Sequence, residues 1–407
     1  MSFSQTGDWI RDFIKPNQGV FSMNTFIGID VAKSKSSFCI LDPEKGKKPV
    51  KEFQMSRDGF NSLLEQTKGF DHPAFFMEST GRYHLTLLQY LLNHEQETFI
   101  VNPVLIKNYS KAHTLRKTKT DIVDARLIAD FSHHNSGKLR KAEFGLIEEV
   151  RSLARRREQL AEEVAKAKTQ LKGDLSVAFP ELLTVDVFTK GILSLLSLYP
   201  SPQFVLSASI EDISSALNDG SKGRGSTITA DKIIHMAQDS IAIEAYGPMV
   251  KDSAKNLIFI QEREKAITKT FLELIKKDHK SESDILESIP GIGKITAAHF
   301  LAEVGDIANF SRYQKLIAFC GTDPGIYQSG TILKQGRITK HGNKSLRKYV
   351  YLMAFGTLKY SPFFRAYYDK KRNEGFSHRK AMVALMNKLL KTIFALLTKG
   401  ETFVVPQ

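Results

Sequence analysis

The chain has 407 residues, 42% hydrophobic and 25% charged. That exceeds what one hydrophobic core usually holds, so two or three domains are expected, and it excludes wholesale disorder. Two cysteines, Cys39 and Cys320, each in an apolar stretch, cannot build a disulfide framework or a zinc cluster and suit a reducing cytoplasm. No apolar run reads as a membrane span, and residues 1–23 lack the apolar segment of a secretory signal and read as a tail. The net charge is +14, and Gly330–Gly400 alone carries 16 Lys/Arg against Asp369 and Glu374. So concentrated a surplus points to a polyanion, and nucleic acid is the usual one.

Thr25–Ile29 and Ser36–Leu41 are β-rich runs around a short polar turn, which predicts a hairpin. Phe75–Glu78 reads as a strand, Leu85–Leu92 as a helix, and Thr98–Val101 as a strand stopped by Asn102-Pro103. Ile122–Phe131 has helical spacing, with Ile122, Ala125, Ile128 and Ala129 on one side. Alternating strands and helices predict an α/β domain over 24–145. Glu148–Leu175 is rich in Ala, Glu, Lys, Arg and Leu. Val150, Leu153, Leu160, Val164 and Leu171 fall at near-heptad spacing, so a long helix is predicted, one arm of a coiled coil with 250–280 as the returning arm. The region 146–280 is then a helical middle, with mixed helix and loop over 176–240 and a Gly/Ser/Lys turn at Asp219–Ser226. Residues 281–407 read as a basic, helical C-terminal domain.

Four acids have placements that suit chemistry. Asp30 follows the apolar run TFIGI, Glu78 ends FFM, and Asp121 and Asp124 sit three apart at a helix start, on one side. Each alone reads as a turn, surface or helix-N-terminal acid. Together they could gather a hard divalent cation of the kind phosphodiester chemistry uses.

In Leu286–Val304 (LESIPGIGKITAAHFLAEV), Pro290-Gly291-Ile292-Gly293 interrupts two helical stretches. This is the pattern of a helix-hairpin-helix, in which Gly291, Gly293 and Lys294 could meet a DNA phosphate through backbone N–H groups and charge. An αα corner with no ligand has the same pattern. It is not a Walker loop, because residue 288 is Ser. Beyond it, Ser329 reads as a residue of a Gly-flanked loop preceding Lys334, Arg337 and Lys340. By composition alone a loop serine is a turn former.

The blocks GIDVAKSK, MESTGRYH, VNP and KTKTDIVDARLIADF, in that order, resemble the N-terminal domain of the DEDD-type insertion-sequence transposases. That family includes the Piv-type DNA invertases and the bridge-RNA-guided recombinases. The resemblance implies an RNase H-like (RuvC-like) fold and a Mg2+ site, with Mn2+ as a substitute, on Asp30, Glu78, Asp121 and Asp124. The C-terminal stretch is similar to the family's transposase domain. Gly321-Thr322-Asp323-Pro324 matches its Gly-x-x-Pro turn, and Ser329-Gly330 the Ser-Gly pair holding the nucleophile. Gly336–Asn343 continues the pattern, with Arg347 beyond it; Lys334, Arg337, Lys340, Asn343 and Arg347 are the implied nucleic-acid contacts. The resemblance covers 24–140 and 285–395 and is weak over 176–250. It implies transesterification by Ser329 on donor and target DNA and a noncoding bridge RNA. It also implies a dimer or tetramer with composite active sites, and a prokaryotic, nucleoid-associated location with no membrane. The residues by themselves leave open a hydrolytic junction resolvase using the acids alone, or a non-catalytic nucleic-acid-binding scaffold.

Overall fold

The computed structural model describes residues 23–78, 82–113, 121–139, 141–142, 146–221, 228–329, 332–340 and 342–405. The tail expected over residues 1–23, Met23 excepted, and most of the Asp219–Ser226 turn lie outside them. The chain forms two compact units, Met1–Leu146 and Ile147–Gln407, so the helical middle and the C-terminal part share one unit.

The first unit contains strands β1 (Thr25–Asp30), β2 (Lys35–Asp42), β3 (Gly46–Lys47) and β4 (Lys51–Gln54), helix α1 (Arg57–Thr67), strand β5 (Pro73–Glu78), helix α2 (His84–Asn93), strand β6 (Glu97–Val101) and helices α3 (Pro103–His113) and α4 (Asp121–Asn135). They build one mixed sheet in the order β3-β2-β1-β5-β6, with β4 also pairing β2. β1 and β2 form the antiparallel hairpin the sequence predicts, whereas β1–β5 and β5–β6 are parallel. β3, β4, α1 and α3 were not foreseen.

Both faces of the sheet are covered, which is why β1 and β5 read as continuous apolar runs rather than alternating ones. On one face Ile27, Ile29, Phe75 and Met77 share a core with Phe60 and Leu63 of α1 and Leu87, Leu88 and Leu91 of α2. On the other, Phe26, Phe76, Phe99 and Val101 share a core with Ala125, Ile128 and Ala129 of α4. The approach of α4 to β1 is closest at Gly28. A Cβ there would lie 2.3 Å from the Ala129 nitrogen and 2.4 Å from the Ala125 oxygen. Only a residue without a side chain lets the backbones meet so closely.

The second unit holds α5 (Leu146–Ala178), four short helices α6 (Lys190–Leu198), α7 (Pro202–Leu206), α8 (Ile210–Ser221) and α9 (Ala230–Gln238), the long α10 (Gly247–Asp278), then α11 (Lys280–Glu287), α12 (Lys294–Val304), α13 (Tyr313–Cys320), strands β7 (Pro324–Ser329) and β8 (Ile332–Ile338), α14 (Lys344–Tyr360), α15 (Pro362–Asn373) and α16 (His378–Lys399). α5 and α10 run antiparallel: Arg157 pairs with Glu264 at 2.9 Å, and further along α5 Asp174 accepts from Ser253, earlier in α10. Residues 176–240, read from sequence as mixed helix and loop, form helices that pack with one end of this pair in a core of their own, including Phe179, Leu195, Leu196 and Ile213.

The other end of the pair packs with α11–α16. α16 is long and apolar enough to cross a membrane by composition, which the sequence reading overlooked. Its Leu385, Met386, Leu389, Leu390 and Ile393 are buried in this core, and that burial accounts for its composition. Among the described residues of the C-terminal part, the one element that is not helical is the β7–β8 hairpin, which the expectation of a helical domain did not include. The cysteines are free and buried; burial pushes the Cys320 thiol up to about 12.

His299 of α12 is fully buried and stacks on Tyr349 of α14, with ring centroids 3.7 Å apart and planes at 8°. Neither ring nitrogen has a hydrogen-bond partner among the described residues. Burial, reinforced by the nearby Arg157 and Lys348 charges, lowers its pKa from the usual 6.5 to about 3. The neutral ring is thus what folds.

Two outcomes follow from these contacts. Gly28→Ala forces the Cβ against backbone that no rotamer change can move, so stability should fall by about 1–3 kcal/mol or more, read as a melting point lower by several degrees. An unchanged melting point would contradict the close approach. For His299, the unfolded chain binds the proton that the folded chain refuses between pH 6.5 and about 3. The stability this group contributes is complete above pH 6.5 and is lost as pH falls, by roughly 2 kcal/mol between pH 7 and 5. Urea unfolding of His299→Phe should show a pH 7-to-5 loss smaller than that of the parent by this amount; equal losses would contradict the assignment.

Candidate active site

The first unit brings Asp30 and Glu78 to neighbouring positions. They end adjacent parallel strands, one residue beyond the Ile29–Met77 rung. Side chains alternate along a strand, so Asp30 shares a face with Phe26 and Gly28, and Glu78 with Phe76. That is the face covered by α4. On α4, Ala125, Ile128 and Ala129 form the buried stripe, and Asp121 and Asp124 each lie one turn before it, four residues ahead of Ala125 and Ile128. The stripe that packs on the sheet therefore continues into acids where the strands end. Asp30, Glu78 and Asp124 are half-buried. The Asp121 side chain lies outside the described residues. Among those that are described, no three His, Cys, Asp or Glu side chains are gathered closely enough to hold a metal ion. The donor set itself, carboxylate oxygens alone, has the hardness that Mg2+ prefers.

Ser329 is the last residue of β7 and pairs with Ile332, the first of β8. It therefore ends a strand at a hairpin tip instead of lying in an open loop; the connecting Gly330-Thr331 is outside the described residues. Lys334 stands opposite Tyr327, and Arg337 precedes Ile338 at the far end of β8. Nothing is described of the side chains of Ser329, Lys334 and Arg337. Lys340 is exposed and takes a positive φ of 55°, its N–H reaching the Gly321 carbonyl at 3.3 Å.

The base of the hairpin is tightly built. The Thr339 hydroxyl donates to Asp323 at 2.7 Å, and the Thr322 hydroxyl to Asn387 of α16 at 2.6 Å. Gly321 has φ of +70°, and a Cβ on it would lie 2.7 Å from the Gly342 nitrogen. Asn343 and Arg347, read from sequence as nucleic-acid contacts, have internal partners here. The Asn343 side-chain oxygen caps α14 by accepting from Leu346 N–H at 3.0 Å, and its amide donates to Glu303 at 2.7 Å. Arg347 donates to the Cys320 carbonyl at 3.0 Å. Those bonds give both residues a part in holding the base of the hairpin.

The α11–α12 turn divides its glycines between two roles. Gly291 has φ of +97°, and a Cβ on it would lie 2.3 Å from the Gly356 backbone of α14, so no side chain fits there. Gly293 is exposed with open space around it, and it begins α12 without a side-chain cap. Lys294, the next residue, is exposed. Uncapped N–H groups beside a cation can receive an anion. Cations of α16 also lie over rings: Lys380 is 4.1 Å from the centroid of Phe376, between α15 and α16, and Lys388 is 5.3 Å from that of Phe363 on α15.

The sequence reading missed Glu303. It lies on α12 with its side chain fully buried, among Asn343 and two arginines of α5: Arg155 at 3.5 Å and Arg151 at 3.8 Å. The one acid in the apolar run HFLAEV was the available signal, since a carboxylate is buried only when paired.

Residues 27–180 match a family model described as a transposase (DEDD, IS110), and residues 283–369 match that of the transposase IS116/IS110/IS902 family. The chain is 24% identical over 388 residues to the pilin gene-inverting protein of Moraxella bovis, covering 93% of this chain and 97% of the relative. It is 26% identical over 295 residues to the insertion element IS110 protein of Streptomyces coelicolor, covering 70% and 72% respectively. A shorter match, 36% over 139 residues, covers 32% of this chain and 37% of the transposase for insertion sequence element IS1111A of Coxiella burnetii. With its two ends matched in order by the two models, the chain belongs to the IS110/IS116/IS902 family of transposases.

Proposed function

We propose that this transposase cuts and rejoins DNA by transesterification, with Ser329 as nucleophile and Asp30, Glu78, Asp121 and Asp124 as a divalent-metal site on an RNase H-like domain. The observation that supports the reading is that Asp30 and Glu78 end adjacent strands on the sheet face α4 covers, with Asp121 and Asp124 one turn before the buried stripe of α4. Mg2+, with Mn2+ as substitute, would be held by those carboxylates and would neutralise charge on the phosphate oxygens.

The protein's own part is a group transfer. The Ser329 oxygen forms a bond to phosphorus as the bond to a deoxyribose oxygen breaks. The serine proton passes to a base, and the departing oxygen is protonated. The strand is then held as a phosphoserine ester, which conserves the phosphodiester energy. A DNA hydroxyl attacking that ester restores the serine and reseals the strand without ATP. A serine at a hairpin tip, followed by Lys334, Arg337 and Lys340, is suited to a phosphate.

The surplus of 16 Lys/Arg over two acids in Gly330–Gly400, the exposed start of α12 at Gly293-Lys294, and the helix-hairpin-helix pattern there support backbone contact with nucleic acid. Donor and target DNA are the proposed substrates, and a noncoding bridge RNA the proposed guide. Serine and acids would come from different subunits of a dimer or tetramer, with the long α5 and α10 as contacts of coiled-coil type.

The test is a DNA cleavage assay that separates covalent from hydrolytic products. Ser329→Ala should form no covalent protein–DNA product and no recombinant. Asp124→Asn should lose cleavage by at least about 100-fold while binding DNA, and chelation should stop the parent until Mg2+ or Mn2+ is restored. Hydrolytic nicking that survives Ser329→Ala would favour a resolvase using the acids alone, and unaltered activity in Asp124→Asn would remove the metal site. Copurification of a discrete RNA supports guidance; specific recombination without one removes it.

A further inference from the structure

Glu303 is placed where it can control the hairpin that carries Ser329. From one side, α5 reaches it through Arg155 and Arg151 at 3.5 and 3.8 Å. From the other, Asn343 donates to it at 2.7 Å. Asn343 is both the cap of α14 and the residue by which the chain leaves the hairpin, since its N–H donates to the Phe319 carbonyl at 2.7 Å. The same stretch of α5 holds the first turn of α14 a second time. Glu158 accepts from the Ser345 hydroxyl at 2.8 Å and from Lys348 at 2.7 Å. It holds α14 a third time through Arg157, which donates to the Tyr349 hydroxyl at 3.4 Å.

The cap of α14 is thus tied to a long helix through a fully buried carboxylate. A buried carboxylate is an expensive way to join two helices if stability alone is at stake, because apolar residues of similar volume do as well or better. What an ionic hub adds is a single permitted geometry. Asn343 has one oxygen committed to the cap and one N–H committed to Glu303, which fixes its rotation, and its backbone N–H on the Phe319 carbonyl ties the chain after β8 to the chain before β7.

We propose that Glu303 is a positioning residue for strand transfer: with Arg151 and Arg155 it locks Asn343, and through Asn343 it sets the base of the β7–β8 hairpin so that its tip is presented to the scissile phosphate. It does not touch DNA. The role rests on the reading of Ser329 as nucleophile. It also gives α5, the helix that follows the acid-bearing unit in sequence, a direct hold on the serine-bearing hairpin.

The experiment is single-turnover formation of the covalent protein–DNA product by the full chain on a suicide DNA duplex. DNA affinity and melting point are measured in parallel, with Ser329→Ala as control. Glu303→Gln keeps the shape but removes the charge that holds both arginines, and Asn343→Asp keeps the cap but sets two carboxylates against each other. Each should slow the product by about 10-fold or more while DNA affinity stays within about twofold, the signature of a misplaced reacting group. The double variant, Glu303→Gln with Asn343→Asp, re-forms the bond with donor and acceptor exchanged, and should recover to within about threefold of the parent. Arg155→Ala, at a half-exposed position, leaves Arg151 and Asn343 on Glu303 and should slow the product while lowering the melting point less than Glu303→Gln does, which keeps the test open if a core variant folds poorly. Wild-type rates in Glu303→Gln and Arg155→Ala, or a double variant no faster than the slower single one, would overturn the role while Ser329→Ala remains inactive. Product formation by Ser329→Ala would instead overturn the nucleophile itself, and the positioning role with it.

Discussion

The first unit depends on one close approach, the backbone of α4 resting on β1 at Gly28. Asp30 and Glu78 end strands on the face that α4 covers, and the proposed site needs the helix that carries Asp121 and Asp124 held there at a fixed height and phase. Ala125 and Ala129 on the helix and the missing side chain on the strand set that height; any Cβ at position 28 would push the backbones apart. The phase follows from the same contact, because Asp121 and Asp124 lie one turn ahead of the residues it buries. Packing and chemistry are therefore not separable here, since the stripe that is apolar over the sheet becomes acidic where the strands stop.

The second unit solves a different problem. It holds a short hairpin on a helical body. Two-stranded hairpins are marginal in isolation, and this one is secured at its base by polar contacts: Thr322 with Asn387, Thr339 with Asp323, Arg347 with the Cys320 carbonyl, and Asn343 with Glu303. Most polar groups around that base are buried or half-buried, so each contact operates at low effective dielectric, where losing one partner strands the other. The buried, neutral His299 lies one turn before Glu303 on α12 and stacks on Tyr349 of α14.

The α/β half was legible because its signals are local. An apolar strand run that ends in an acid, and a helical stripe with two acids before it, each appear within ten residues, and the structure keeps both. The hairpin was not legible as strands because Gly, Gln and Ser dilute β7, and turn composition outweighed the Ile-Leu run that opens β8. Gly291 and Gly293 look alike in sequence, yet one meets a helix backbone and the other meets solvent, a difference that depends on Gly356, 65 positions from Gly291. Asn343 and Arg347 matched a motif whose residues serve the hairpin's foundation, and only their partners show it. The 176–240 lobe was obscure because its helices are short and its core is shared with α5 and α10, far away in sequence. The serine remains the part of the site for which the residues alone speak least, since a serine near a turn is usually only that.

The most direct measurement of the central claim is mass spectrometry of the covalent product trapped on a suicide DNA substrate with Mg2+, digested with nuclease and protease. The peptide containing Ser329 should carry a nucleotide remnant, absent when the metal is chelated and absent from Asp124→Asn. Cleaved DNA with no remnant, or a remnant on any other residue, would contradict that claim.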